Sequence, residues 1–460
     1  MYKIDFKKPL RVHFIGIGGI SMSGFAELLH TMGFIVSGSD AKESKITKHL
    51  ESLGINILYG QSASNITSNL DLIVYTAAIH EDNPEFVAAK QSTIPMMDRA
   101  EMVGQVMKNY ESAIAVAGTH GKTTTTSMVS HILLAADLDP TISVGGILKA
   151  IDGNIRVGNS SNFITEACEY TNSFLKFYPT ISIILNIEAE HLDFFKDLDD
   201  VRNSFYEFAS KLPQNGLLII NGEIEQVDEF IDKLNCRIVT YGMNAPSYNF
   251  TARQITYNEF GLGAFDLYHN ETFVDHIQLS VVGAHNISNA LAAIALGYEF
   301  NIPISIIKEG LLTFKGTERR FEYKGETNGV TVVDDYAHHP TEIEATLNAT
   351  EKYPHKTLWC VFQPHTYSRT KAFLKEFASA LSKADKIVLT DIYAAREQDP
   401  GDISSLDLKK ELELLGKEVY HFSEFDDIEN FLLQNCANGD LLITMGAGDV
   451  VTIGERLLGE

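Results

Sequence analysis

Six residues between two apolar stretches carry the clearest chemistry in the chain: Gly118-Thr119-His120-Gly121-Lys122-Thr123. Glycines at such a place let backbone N–H groups close on phosphate oxygens at the start of a helix, where the peptide dipoles also favour negative charge. Lys122 is expected to reach the β and γ phosphates, and the Thr123 hydroxyl to sit on Mg2+. Position 116, where the standard loop has a further glycine, is Val116, so the match is to a shortened G-T-x-G-K-T form. His120 by itself reads as structural.

A second loop, Gly16-Ile17-Gly18-Gly19-Ile20-Ser21, is a weaker signal, because Ser21 replaces the third glycine of the dinucleotide fingerprint and Asp40 is its expected acidic partner. Alone it suits NAD, another nucleotide-bearing ligand or a packing turn. With one Lys-Thr loop in the chain, the natural division is ATP at Lys122 and a nucleotide-bearing substrate over Gly16 to Asp40. Glu166 and His191 follow strand candidates that could converge beside the phosphate loop, and a carboxylate with an imidazole suits a divalent ion bridging phosphate and acceptor. By residue type alone each is more often a surface carboxylate or a satisfied histidine. Asp334 and Asp335, with Arg319 and Arg320 at a boundary, form either a ligand-facing set or a solvated charge cluster. Gln363-Pro364-His365-Thr366-Tyr367-Ser368-Arg369 offers donors and a cation for a carboxylate.

The elements that must position these residues fall into three successive units. RVHFI (11–15) reads as a buried strand, and Met22, Phe25, Leu29 and Met32 recur at helical spacing up to Gly33. A strand over Ile35 to Ser39 follows, with Asp40 at its carboxyl end, and another over Asp71 to Thr76; together these predict a nucleotide-binding α/β fold. A second unit opens at Ser112 with AIAVA and a helix over TTTSMVSHILLAA, and has strands at Phe163 to Thr165, Ile181 to Asn186 and Leu217 to Asn221. The third opens near Phe314 to Arg320, with strands at Val330 to Asp334, Leu358 to Phe362, Lys386 to Thr390 and Leu441 to Met445.

Composition sets the limits. A chain of 460 residues with 45% hydrophobic and 21% charged residues has room for two or three ordinary globular cores. A net charge of −24 makes nucleic acid or an anionic membrane a poor partner, so an anionic ligand must be held locally. The four cysteines, Cys168, Cys236, Cys360 and Cys436, form no C-x-x-C pair, which argues against a disulfide framework or thiolate metal site and fits a reducing cytoplasm. No run approaches the ~18 apolar residues of a membrane span, and the start lacks a signal-peptide core.

In order along the chain, GIGGISMSG, SGSD, AGTHGKTTTTSM, NIEAEHLDFF, GAHNISNALAA, GTERRFE, DDYAHHPTEI, FQPHTYSRT, DIYAAREQDPG and GAGDV resemble the signatures of the Mur ligases. These are ATP-dependent amide-forming enzymes of peptidoglycan precursor synthesis. The resemblance implies an α/β protein of three domains: a Rossmann-like UDP-sugar domain over 1–109, a central P-loop ATPase over 110–315, and a Rossmann-like third domain over 316–460 that contacts ATP and the amino acid. It implies ligation of L-alanine to the carboxylate of UDP-N-acetylmuramate, with ATP and Mg2+. Carried over by motif, Lys122, Glu166 and His191 are catalytic, and Thr123, Glu166 and His191 hold the metal. ATP falls to Gly118, Thr119, His120, Gly121, Lys122, Thr123, Thr124, Asn286, Asn289, Arg320 and Asp335. The UDP-sugar falls to Gly16, Gly18, Gly19, Ser21, Ser39 and Asp40, and the amino acid and sugar carboxylate to Tyr336, His338, His365 and Arg369. The chain departs from the family at Cys168, where Asp is common, and at Ser21, where glycine is usual. Three alternatives stand beside this reading: a sister ligase joining a recycled tripeptide to the same sugar nucleotide, an NAD(P)-dependent oxidoreductase, which leaves Lys122 unexplained, and a nucleotide-gated interaction protein.

Overall fold

The computed structural model describes residues 3–191, 194–351, 353–395 and 397–459. Leu192 and Asp193 of the NIEAEHLDFF segment and Arg396 of DIYAAREQDPG lie outside the described residues. Packing divides the chain into two compact units, Met1–Thr251 with Leu291–Gly310, and Ala252–Ala290 with Leu311–Glu460.

The first unit opens with five parallel strands, β1 (Arg11–Ile15), β2 (Ile35–Asp40), β3 (Asn56–Tyr59), β4 (Leu72–Tyr75) and β5 (Met96–Asp98), in the order β3-β2-β1-β4-β5. The order reverses between β1 and β4, which makes the carboxyl ends of these two strands the natural ligand crevice. The helix Ile20–Thr31 buries Met22, Phe25, Leu28 and Leu29, the apolar face that its spacing predicts.

The same unit continues with β6 (Ser112–Ala117), β7 (Thr141–Leu148), β8 (Gly153–Arg156), β9 (Asn162–Ala167), β10 (Ile181–Ile184), β11 (Leu217–Asn221) and β12 (Arg237–Gly242). Their order is β12-β11-β10-β6-β9-β7-β8, parallel except that β8 runs antiparallel to β7. β13 (Phe250–Tyr257) begins here, with Phe250 beside Tyr241 of β12. Glu166 lies inside β9, opposite Val116 of β6, and not just after the strand as its short apolar run suggests. One buried apolar cluster extends from Phe14 and Phe25 to Phe163 and Phe205, with the Phe25 and Phe163 rings 6.4 Å apart, so both sheets of this unit share a core.

The second unit contains the antiparallel hairpin β14 (Leu262–His269) and β15 (Thr272–Val282). Its sheet is built from β16 (Glu322–Thr327), β17 (Val330–Asp335), β18 (Leu358–Phe362), β19 (Lys386–Leu389), β20 (Glu418–His421) and β21 (Leu441–Met445), in the order β16-β17-β21-β18-β19-β20. Only β16 is antiparallel to its neighbour. Alternation along β18 sends Cys360 and Phe362 into one apolar layer and Trp359 and Val361 into the other, so the sheet is covered on both faces. Among the described residues no helix is long and apolar enough to cross a membrane.

Candidate active site

Between β6 and the helix Lys122–Ala135 the chain turns through Gly118 at φ +150° and Gly121 at φ +84°, conformations that side-chain-bearing residues rarely adopt. A Cβ on Gly118 would also stand 2.9 Å from that of Leu185, so the turn is closed to any larger residue. The loop is tied to the segment after β10: His120 N–H donates to Asn186 Oδ1 at 2.7 Å, Asn186 Nδ2 to His120 O at 3.1 Å, and Glu188 N–H to Thr119 Oγ1 at 2.9 Å. The His120 ring lies 3.5 Å from the Glu188 carboxylate. Thr124 lies in the first turn of the helix.

Lys122 Nζ donates to Gly118 O at 2.5 Å, to Thr119 O at 3.0 Å and to Glu169 Oε2 at 3.0 Å. Burial works against the ammonium charge, but the Glu169 carboxylate, with Cys168 and Glu166 adding to it, more than offsets this and holds the lysine charged beyond its ordinary range. Burial likewise raises Glu169, yet Lys122 and a hydrogen bond from His191 bring its carboxyl down to about 2. The second oxygen, Oε1, lies 3.6 Å from His191 Nε2. His191 itself sits at φ +55°, with its ring centroid 4.5 Å from that of Tyr170. Glu166 faces other partners, accepting from Thr123 Oγ1 at 3.0 Å and from Gly145 N–H at 2.5 Å. Thr123 is thus brought to Glu166, while His191 is brought to Glu169.

At the crevice of the first sheet, Gly16 and Ile17 N–H both donate to Ser39 O at 2.9 Å. Asp40 Oδ2 accepts from Gly18 N–H and Oδ1 from Ala41 N–H, each at 2.8 Å, so this carboxylate props the glycine loop open. Gly19 caps the helix Ile20–Thr31 without any side-chain hydrogen bond. Ser21 accepts from Arg99 Nη1 at 3.1 Å, whereas Ser39 is fully buried.

The second unit collects most of the remaining candidates. Asp335 accepts from Phe321 N–H at 2.8 Å and Ala337 N–H at 2.7 Å, and its burial, against the pull of Arg320, lifts its carboxyl to about 6. Arg320 Nη1 lies 3.8 Å from Glu342 Oε1, with its guanidinium 5.3 Å from the Tyr336 ring. His338 stands 5.4 Å from the Tyr336 ring and 5.8 Å from His365, and Arg369 Nη1 donates to His365 Nδ1 at 3.2 Å. Tyr336, His338, His365, Arg369 and Arg320 therefore form one cluster. Asn286 and Asn289 lie apart from it in sequence, buried and bonded to each other at 3.0 Å, with Asn286 Nδ2 on Val282 O.

Motif reading missed Glu169, Asn186, Glu342 and Tyr393, whose ring stacks on His365 at 5.6 Å. Glu169 had a visible signal, three residues after Glu166 in TEACEY, but only the fold shows that it is the acid buried against Lys122.

The His365 ring has a testable consequence for pH. Burial, followed by the neighbouring His338 and Arg369, lowers its titration from 6.5 to about 4. Between those values the unfolded chain binds a proton that the fold refuses, so this group's contribution to stability is lost as pH falls from 6.5 towards 4. The His365→Gln variant should show a shallower loss of Tm on acidification than the parent, in melts at pH about 7, 5.5 and 4.5. Parallel slopes would show that the ring titrates alike in both states.

Three family models match consecutive stretches: the Mur ligase family catalytic domain over residues 11–111, the Mur ligase middle domain over 116–297 and the Mur ligase glutamate ligase domain over 319–448. The chain is 61% identical to a UDP-N-acetylmuramate–L-alanine ligase of Lachnoclostridium phytofermentans, over 100% of both chains. It is 52% identical to the ligase of that name from Clostridium botulinum strain Langeland, over 98% of each. Among solved structures, the UDP-N-acetylmuramate-alanine ligase of Thermotoga maritima superposes with a TM-score of 0.81 at 30% identity, with 98% of each chain covered. A murein peptide ligase from Psychrobacter arcticus gives 0.70 at 25%, again over 98% of each chain.

Proposed function

The chain belongs to the Mur ligase family, with its three-domain α/β fold, and on that premise we propose that it ligates L-alanine to UDP-N-acetylmuramate in peptidoglycan precursor synthesis, forming ADP. The observation that carries this reading is full-length identity above half to ligases of that name, combined with a better superposition on the alanine ligase structure than on the murein peptide ligase.

A carboxylate resists attack by an amine because its leaving group would be oxide. One of its oxygens therefore attacks the γ-phosphorus of ATP, ADP departs, and the product is an acyl phosphate. The free amine of L-alanine attacks the carbonyl carbon, and the tetrahedral intermediate expels phosphate and loses the amine proton to leave the amide. Little covalent work falls to the protein, so positioning and charge neutralisation do most of it. The N–H groups of Gly118 to Thr124 and the Lys122 ammonium would hold and neutralise the phosphates. The hydroxyl of Thr123 and the carboxylate of Glu166, 3.0 Å apart, are hard oxygen donors suited to Mg2+, with the His191 imidazole as a further ligand. That ion would neutralise charge on the phosphate oxygens.

The remaining assignments follow the same reading. ATP would also meet Asn286, Asn289, Arg320 and Asp335. The UDP end would lie at Gly16, Gly18, Gly19, Ser21, Ser39 and Asp40, and the amino acid and sugar carboxylate near Tyr336, His338, His365 and Arg369. The proposed domain limits are 1–109, 110–315 and 316–460, in a cytoplasmic enzyme.

Phosphate release with UDP-N-acetylmuramate and each amine in turn tests the function. L-Alanine should be the fastest substrate, with glycine about 10- to 200-fold weaker, since one methyl group discriminates by only about 1–3 kcal/mol. Faster release with L-alanyl-γ-D-glutamyl-diaminopimelate would instead favour the peptide-recycling ligase. For the metal, Glu166→Ala and His191→Ala should each raise the Mg2+ concentration needed for half-maximal turnover by about tenfold or more. An unchanged Mg2+ requirement in both variants would remove these residues from the metal site.

A further inference from the structure

Glu169 is 1% exposed, and its carboxylate faces two proposed catalytic groups. Oε2 holds Lys122 Nζ at 3.0 Å, and Oε1 lies 3.4 Å from the same Nζ and 3.6 Å from His191 Nε2. The same ammonium also donates to Gly118 O and Thr119 O, so the lysine head is held between the loop carbonyls and the Glu169 carboxylate. His191 comes from a separate segment, in a left-handed backbone conformation, with Tyr170, the residue after Glu169, packed on its ring. Glu166 does not share this work, because its two oxygens go to Thr123 and Gly145. Two acids three residues apart are thus divided between two tasks.

Resting on the ligase reading above, we infer that Glu169 is a positioning residue for the reaction: one buried carboxylate brackets the phosphate-binding lysine and the His191 imidazole and fixes the distance between them. A freely rotating lysine could reach the same phosphates, but each turnover would then have to order a four-carbon chain. An aligned ammonium avoids that ordering at the moment charge moves on to the transferring phosphate. Aspartate cannot substitute, because a side chain shorter by one methylene cannot span both partners.

The test compares Glu169→Gln and Glu169→Asp with the parent, by steady-state phosphate release and by calorimetric titration with ATP in the presence of a metal chelator. Both variants should lose about tenfold or more in kcat, and ATP should bind about tenfold more weakly. The KM for UDP-N-acetylmuramate should stay within about twofold, since Glu169 is not placed at that loop. The second readout is a double-mutant cycle on ATP affinity: in a Lys122→Met background, Glu169→Gln should cause no further weakening. If Glu169→Gln proves too unstable to assay, Glu169→Asp and the Lys122→Met pair, which retain or remove both charges, still decide the matter. Parent-like kcat and ATP affinity in the variants, or equal weakening with and without Lys122, would overturn the inference. Failure of the parent itself to release phosphate with L-alanine and UDP-N-acetylmuramate would overturn the ligase reading instead.

Discussion

Lys122→Ala is expected to lower phosphate release by about 10²–10³-fold or more, the usual cost of removing a preorganised charge aimed at developing negative charge. Affinity for UDP-N-acetylmuramate, measured by calorimetry, should remain within about twofold, because the glycine loop after β1 is propped by Asp40 and makes no use of Lys122. The variant carries a second effect that must be separated from the first. Glu169 is 2% exposed at its side chain, and without the ammonium it becomes a buried charge with its main counter-ion gone, a situation that costs about 3–5 kcal/mol. Lys122→Ala should therefore melt earlier than the parent, and the double variant Lys122→Ala/Glu169→Gln should recover much of the Tm. Turnover should not recover with it. Recovery of turnover along with stability would mean that Lys122 serves the fold and not the phosphate, and equal loss of UDP-sugar and ATP affinity would end the division of labour between the two loops.

The Lys122 loop was legible because its chemistry is local. Two glycines, a lysine and a threonine at fixed spacing between a strand and a helix need no distant partner to be recognised, and β6 and the helix Lys122–Ala135 stand where the apolar pattern puts them. What sequence could not supply was long-range pairing. Glu166 and Glu169 differ by three residues and look alike, yet one meets Thr123 and Gly145 and the other Lys122 and His191. The hairpin β7 and β8 was also invisible, because Gly145 and Gly146 interrupt the alternation that marks a strand, and β7 is instead fixed by its pairing with β9. The cluster of Tyr336, His338, His365 and Arg369 lay in two motifs about thirty residues apart, and β17 and β18 bring their carboxyl ends to one edge of the sheet on either side of β21.

The neighbouring acids of DDYAHHPTEI separate in the same way, and the second large effect follows from it. Successive residues on a strand point to opposite faces, so Asp334 and Asp335 at the end of β17 cannot share a task. Asp335 turns to the backbone N–H groups of Phe321 and Ala337, beside Arg320. Asp334 is 0% exposed and takes Arg319 Nε at 2.9 Å and Thr444 Oγ1 at 2.6 Å. Arg319 spends its other nitrogens on Gly446 O at 2.7 Å and Gly448 O at 3.0 Å, so the pair ties the residues before β16 to the loop after β21. This makes the Arg319 and Asp334 pair a structural tie, not a ligand-facing set. Asp334→Ala is expected to cost about 3–5 kcal/mol, because it leaves a largely buried guanidinium without its counter-charge. For a unit of this size that corresponds to a Tm lower by about 10 °C, read by calorimetry. The double variant Asp334→Leu/Arg319→Met should regain a substantial part, since an apolar pair in place of a buried ion pair is often neutral. If the double variant melts no higher than Asp334→Ala, the carbonyls of Gly446 and Gly448 that Arg319→Met abandons cost as much as the unpaired guanidinium does in Asp334→Ala.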